Sequence, residues 1–251
     1  MGEAARLAEA SGADVVDINF GCPAKKVTGG LCGSALMREP GLALSIVEAT
    51  VAAVTVPVTV KMRLGWDDQS RNVVPFAKAA AEAGAKAVTV HGRTRQQFYS
   101  GHADWGAIAE VVDALPVPVI ANGDVGCLAT ARACLGRSGA AAVMIGRAAV
   151  GQPWIVGEIA AGLQGRPYSR PSFAERVAAS VEHYQAMLSL YGVSMGVRHA
   201  RKHLAAYAER AAEAGYGLSP VERESLVTST EPARVEELLR RLYDQPARLA
   251  A

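Results

Sequence analysis

Aromatic residues are scarce in this chain of 251 residues, which has 4 Phe, 3 Trp and 7 Tyr against 25 Gly. A core must therefore be built mainly from Ala, Val, Leu and Ile, and the hydrophobic half of the composition is ordinary for a soluble globular protein. Cysteine is equally sparse. Cys22, Cys32, Cys127 and Cys134 form no CxxC pair and have no His at zinc-ligand spacing. That argues against a disulfide framework and predicts a reducing compartment and no metal. HExxH is absent as well. Neither sign of charge dominates. A net charge of +2 is too small to announce a polyanion partner, so nucleic-acid binding would have to come from a local patch. Long apolar runs are missing, and segments such as VVDI and AAVMI fall far short of the roughly 20 residues of a membrane helix. The opening MGEAARLAEASGA reads as a helix with acidic residues and has no signal-peptide core. A cytoplasmic protein with no membrane partner is expected, either one large domain or a large and a small one.

What the sequence does contain is a repeating beat. Five short β-branched runs recur: Val15–Phe20 (VVDINF), Val56–Arg63 (VPVTVKMR), Ala87–Arg93 (AVTVHGR), Val117–Asp124 (VPVIANGD) and Ala141–Ala148 (AAVMIGRA). Their near-continuous apolar character predicts parallel strands buried on both faces. Ala-rich stretches with helical spacing lie between them, such as Asn72–Ala83 and Trp105–Ala114. Three strands are introduced by nearly one phrase, SGADVVDI, AGAKAVTV and SGAAAVMI, with glycine placed to cap the preceding helix. An internal repeat of helix, turn and strand implies the parallel α/β class. Each strand ends in polar or glycine residues (NFGCP, KMRLGW, HGRTR, NGDVG, GRAA), where a TIM barrel keeps its active site.

After Gly151 the pattern changes. Pro153, Pro167 and Pro171 punctuate a transition, and GRPYSRPS reads as a linker. From Ser172 the reading is helical over Phe173–Tyr191, Val197–Ala214 and Pro232–Tyr243, with Ser172 and Glu175 at the spacing of a capping box. The expected architecture is an α/β, incomplete TIM barrel of parallel strands over residues 1–165, followed by a small all-helical domain over residues 166–251.

The most informative stretch is Asp17–Met37, DINFGCPAKKVTGGLCGSALM. Cys22 follows a strand end between Gly21 and Pro23, on a tight loop over the mouth of the sheet. Gly29, Gly30 and Gly33 keep the next loop lean enough for a ligand to approach the backbone. Thiols are mostly protonated at pH 7, so they serve as proton donors as well as nucleophiles. A cysteine in a glycine-rich loop is, by itself, more often structural. The segment resembles the NxGCP-xKK-GG signature of the tRNA-dihydrouridine synthase family, down to the Lys-Lys pair and the tail GSALM. The resemblance runs from about Gly2 to the end of the helical part. VKMRLGW, TVHGRTR, VIANGDV and MIGRA match in the same order.

That resemblance implies an FMN-dependent enzyme that reduces uridine in tRNA to 5,6-dihydrouridine, with NADPH as electron donor. It makes Cys22 the general acid that protonates carbon 5 of the uracil, and Asn19 a residue that holds the base. It places Lys61 beside the flavin, where an ammonium stabilises negative charge, and His91 at the cofactor or the pocket edge. A neutral histidine satisfied by backbone is the alternative for His91. Arg93 is assigned to phosphate or RNA. Asn122, Gly123, Asp124, Gly146 and Arg147 match the family's FMN-phosphate site, after the last two strands. Cys32 is treated as incidental, and Cys127 and Cys134 as packing residues.

In the helical part, VRHARKHLAAY sets Arg198, Arg201 and Lys202 at i, i+3 and i+4 on one helix face, which the resemblance assigns to tRNA. The sequence is silent on oligomeric state, and a monomer is the working expectation. The family begins with about three further βα units, so only five of eight expected strands are visible and a fragment or mistaken start is expected. Two other readings compete. One is another FMN-dependent barrel reductase of a pyrimidine, of the dihydroorotate dehydrogenase kind; the other is a non-catalytic RNA-binding remnant.

Overall fold

The computed structural model describes residues 1–244, so the last seven positions of the expected helical domain lie outside the described residues. Five parallel strands, β1 (Val16–Asn19), β2 (Val58–Arg63), β3 (Ala87–His91), β4 (Val119–Asn122) and β5 (Ala142–Met144), form one sheet in the order β1-β2-β3-β4-β5. A doubly wound sheet reverses its strand order partway. Strictly sequential order with helical crossovers is the winding of a βα barrel, which closes with eight strands. The expected class is therefore what the chain adopts.

The helices of this part are α1 (Gly2–Ala10), the short α2 (Lys25–Thr28), α3 (Pro40–Val51), α4 (Val73–Glu82), α5 (Gly106–Ala114) and α6 (Leu128–Ser138). A 3-10 turn covers Gly33–Arg38. Helix α4 packs on β2 and β3, α5 on β4, and α6 on β4 and β5. The repeated glycine does what its phrase predicts: Gly12, Gly84 and Gly139 all have left-handed φ, 92°, 107° and 64°.

The two sheet faces differ, which corrects the expectation of strands apolar on both sides. Ile18, Val58, Val60, Met62, Val88, Val90, Val119 and Ala121 are all buried and share one face. The register sets the opposite face in rows: Asp17, Thr59 and Ala87; then Asn19, Lys61, Thr89 and Ile120; then Arg63, His91, Asn122 and Met144. Threonine has the β-branched shape of valine, so Thr59 and Thr89 hide a period of two inside strings that look uniformly apolar. The polar face is where the site forms.

The second compact unit begins at Arg147, earlier than the expected boundary at 165/166. The reason is local packing. A Cβ on Gly151 would stand 2.7 Å from the backbone of Ala206, and Arg176 covers the Trp154 ring at 5.3 Å. The unit contains α7 (Ile155–Leu163), α8 (Phe173–Glu213), α9 (Pro220–Thr228) and α10 (Pro232–Arg240). Ser172 and Glu175 form the expected capping box: the Glu175 N–H donates to Ser172 Oγ at 3.3 Å, and the Ser172 N–H to Glu175 Oε2 at 2.7 Å. Gly192, at φ 73° and ψ 161°, breaks α8 where the first expected helix ends. Helix α9 is not evident in the sequence, because Leu226 is its one buried residue and charges surround it. Tyr184, Val197, Leu204, Leu226, Val235 and Leu238 build this unit's own core. Among the described residues no helix is long and apolar enough to cross a membrane, and no group of three or more His, Cys, Asp or Glu stands where a metal could be held.

Candidate active site

β1 ends at Asn19 and the chain turns at once. Asn19 Oδ1 accepts the Gly21 N–H at 2.8 Å, while Phe20, fully buried, points the other way onto the edge of Phe76 at 5.3 Å. The Gly21 carbonyl accepts from Arg63 Nε at 2.9 Å. The Cys22 carbonyl accepts twice, from the Ser34 N–H at 3.0 Å and the Ser34 hydroxyl at 2.8 Å. A Cβ on Gly33 (φ 56°) would lie 2.8 Å from that carbonyl oxygen. A lean glycine loop is expected to admit a ligand; at Gly33 the group it admits is Cys22 itself. The Cys22 thiol is half-buried and Cys32 is exposed.

Lys61 reaches the same turn. Its Nζ lies 3.5 Å from where a Gly21 Cβ would stand. Burial pushes its pKa down, and the neighbouring Arg63 guanidinium pushes the same way, against the smaller pull of Asp17 and Cys22. Among the described residues the Lys61 ammonium makes no hydrogen bond and no ion pair, while the Lys61 carbonyl accepts from the Phe20 N–H at 2.7 Å. Its partner in the register is Asn19, so the two side chains stand side by side on the polar face.

His91 ends β3, one row further along, and is buried. Desolvation, with Arg63, Lys61 and Arg93 adding to it, pushes its pKa down to about 3, so the ring is neutral at pH 7. Arg93 NH1 lies 3.3 Å from its Nε2. Guanidinium only donates, so Nε2 is the acceptor and the ring proton is assigned to Nδ1. The partner is thus a cation rather than the backbone group expected for a neutral histidine here.

Arg93, assigned to phosphate or RNA, has its guanidinium turned inward onto Asp124. It is 2% exposed, and its guanidinium donates to the carbonyls of Ser100 (3.1 Å) and Gly101 (2.7 Å) and to both oxygens of Asp124 (2.9 and 2.7 Å). A buried guanidinium must have every available partner, which fixes this one inward. Asp124, at φ 56°, also accepts the Ala103 N–H at 2.7 Å. Asn122 donates to the Met144 carbonyl at 2.9 Å, and the Gly123 carbonyl accepts from Trp105 Nε1 at 3.0 Å. A Cβ on Gly123, at φ 117°, would meet the Ala103 Cβ at 2.7 Å and the His91 ring at 2.9 Å, so conformation and space both require glycine there. Gly146 follows β5 with open space around its Cα, and Arg147 opens the next turn in the following unit.

In the second unit Arg198, Arg201 and Lys202 are all exposed on α8 and make no ion pair with the described residues. Arg198 and Arg201 line a pocket with Val193, Ser194, Val197 and Thr230. None of the four cysteines, all among the described residues, is in a disulfide. Cys134 is buried, its thiol pushed up to about 11 by desolvation, as a packing residue should be. Cys127 is exposed and instead begins α6, its N–H donating to the Thr130 hydroxyl at 3.0 Å. Sequence reasoning missed Arg63, Ser34 and Thr89. The signal for Arg63 was its place two residues after Lys61 in VKMR, hence on the same face of the strand.

The fold and site define a barrel-wound α/β protein whose polar side chains gather at the strand ends. The chain belongs to the dihydrouridine synthase family, whose model matches residues 1–235. It is 50% identical over 246 residues to a protein of Rhodobacter capsulatus named "Probable tRNA-dihydrouridine synthase", covering 98% of this chain and 74% of the relative. A protein of the same name from Rhizobium leguminosarum bv. phaseoli is 51% identical over 243 residues, 97% of this chain and 73% of the relative. The "tRNA-dihydrouridine synthase B" of Xanthomonas axonopodis pv. citri is 48% identical over 210 residues, 83% of this chain and 63% of the relative.

Proposed function

We propose that this chain reduces uridine in tRNA to 5,6-dihydrouridine, with FMN as its resident cofactor and NADPH as the source of electrons. The single observation that carries the reading is the Cys22–Lys61 pairing: a half-buried thiol on a tightly held turn, beside an ammonium with no hydrogen bond of its own. The same ammonium is the test of fit for FMN. Partly buried, pushed towards neutrality and rich in donors, Lys61 suits a ring with several acceptors that gains negative charge. Neutral His91 sets no second cation in its way. The cofactor's phosphate is assigned to the strand ends of the first unit, Gly146 after β5 with Asn122 and Gly123 ending the adjacent strand. Asp124 serves through its hold on Arg93, since a carboxylate facing phosphate would repel it.

When bound, the flavin supplies the hydride that carbon 6 of the uracil receives. The protein's own contribution is the proton. Cys22 gives it to carbon 5, so two hydrogens add across the C5–C6 double bond and the thiolate regains its proton from solvent. Asn19 holds its oxygen on Gly21, which leaves its NH2 group, free of hydrogen bonds among the described residues, to orient a uracil carbonyl. A base reached in this way must first leave its stack in the RNA. Arg198, Arg201 and Lys202 are proposed to meet tRNA phosphates, positioning the RNA without reading its sequence.

The test is Cys22→Ala. The variant is expected to purify yellow and to give no dihydrouridine when tRNA nucleosides are measured by mass spectrometry after turnover with NADPH. Undiminished product would remove Cys22 from the mechanism, and a colourless wild-type protein that cannot be loaded with FMN would end the flavin reading.

A further inference from the structure

We propose that Arg63 is a positioning residue that holds the Cys22 turn and the aromatic tip Phe98–Tyr99 as one unit. It ends β2 and is 1% exposed, although a guanidinium is costly to bury. Its Nε donates to the Gly21 carbonyl at 2.9 Å, directly before the thiol residue. Its NH1 donates to the carbonyls of Thr94 and Phe98, each at 2.9 Å, in the loop after β3. Its carbon lies 5.7 Å from the centre of the Tyr99 ring. Two loops that follow different strands are thus fixed through one planar group. The geometry of the fork matters, because an ammonium presents its donors from a single point and does not span three such carbonyls.

The backbone at the tip supports the same role. Phe98 has φ 54°, a left-handed conformation unusual for a bulky side chain. Such conformations persist where the surroundings over-determine them, and here the Phe98 carbonyl is one of the groups Arg63 grips. The tip so held presents two half-exposed rings, Phe98 and Tyr99, edge to face at 5.0 Å. Arg63 therefore acts on the chemistry through the turn that carries Cys22 and through the Phe98–Tyr99 tip it grips, without touching either reacting atom.

The consequence for turnover rests on the function proposed above; the mechanical coupling does not. Full-length Arg63→Lys is compared with wild type by two readouts. The first is the rate of iodoacetamide alkylation at Cys22 relative to exposed Cys32, read by peptide mass spectrometry. Lysine keeps the charge, so the ratio reports access rather than thiolate fraction. The second is kcat and KM for tRNA. Measured well below the melting temperature of each protein, a several-fold rise in the Cys22-to-Cys32 ratio is expected, with kcat down by about 100-fold, as an ångström of misplacement costs, and KM unchanged. A ratio equal to that of wild type overturns the proposal. Should Arg63→Lys fail to fold, Phe98→Pro carries the test: proline cannot take φ 54°, so the exposed tip leaves Arg63, Cys22 alkylation in the other loop is expected to rise, and no change overturns the coupling. If the wild-type chain makes no dihydrouridine, the proposed function fails while the alkylation ratio still decides this inference.

Discussion

His91 is the side chain whose surroundings act on it most, because burial and three cations all disfavour its charged form. Its native pKa of about 3 lies below the unfolded value of 6.5, so between those values the unfolded chain binds a proton that the native chain does not. The histidine costs nothing above pH 6.5, and stability is lost as pH falls from there towards 3. Urea unfolding at pH 7 and pH 5 should show wild type losing roughly 2 kcal/mol more between the two than His91→Gln does. Equal losses would mean that the ring is protonated in the fold. The same reading of individual residues shows the reach of the sequence. Cys22, Lys61 and Asn19 stand together, because each sits at or just past a strand end and parallel register aligns strand ends. Arg93 is the exception, because an arginine after a strand looks alike whether it turns out to phosphate or in to Asp124. That choice depends on a carboxylate 31 positions away in the sequence.

At the scale of elements, α8 carries the clearest conformational requirement. Gly192 has φ 73° and ψ 161°, a region that essentially only glycine occupies, and nothing lies within 4 Å of where its Cβ would stand. Gly192→Ala is therefore a purely backbone substitution, expected to destabilise the helical unit by about 1–3 kcal/mol with no loss of packing. Thermal unfolding followed at the helical signal checks this; an unchanged midpoint would show that the kink is not needed. The ends of helices are legible in the same local sense. The Ser172–Glu175 box and the glycine before each strand are satisfied within a few residues, so spacing is enough to find them. Helix α9 is not legible, since its charged string is held through Leu226 by a core assembled from distant segments.

For the whole molecule, a net charge of +2 leaves RNA binding to local groups. Arg198, Arg201 and Lys202 are exposed on one stretch of α8 and make no ion pair with the described residues. Replacing all three with Gln should weaken tRNA binding and flatten the dependence of log K on log salt by roughly two to three, since each phosphate that is no longer neutralised keeps its condensed counterion. Fluorescence titration over a range of salt measures the slope, and an unaltered slope would place the RNA elsewhere. The class of fold followed from sequence alone, because a helix-turn-strand repeat can bury its apolar faces only as a parallel sheet with helices against it. So did the order of the strand-end motifs, because chain order and strand order coincide in barrel winding. What only the tertiary structure decided is which side of each strand is polar inside an apparently apolar string, where the compact units divide, and which arginines are struts. Those depend on partners far apart in the chain, such as Arg63 with Gly21, Thr94 and Phe98, and no local pattern encodes an interaction whose other half is set by folding.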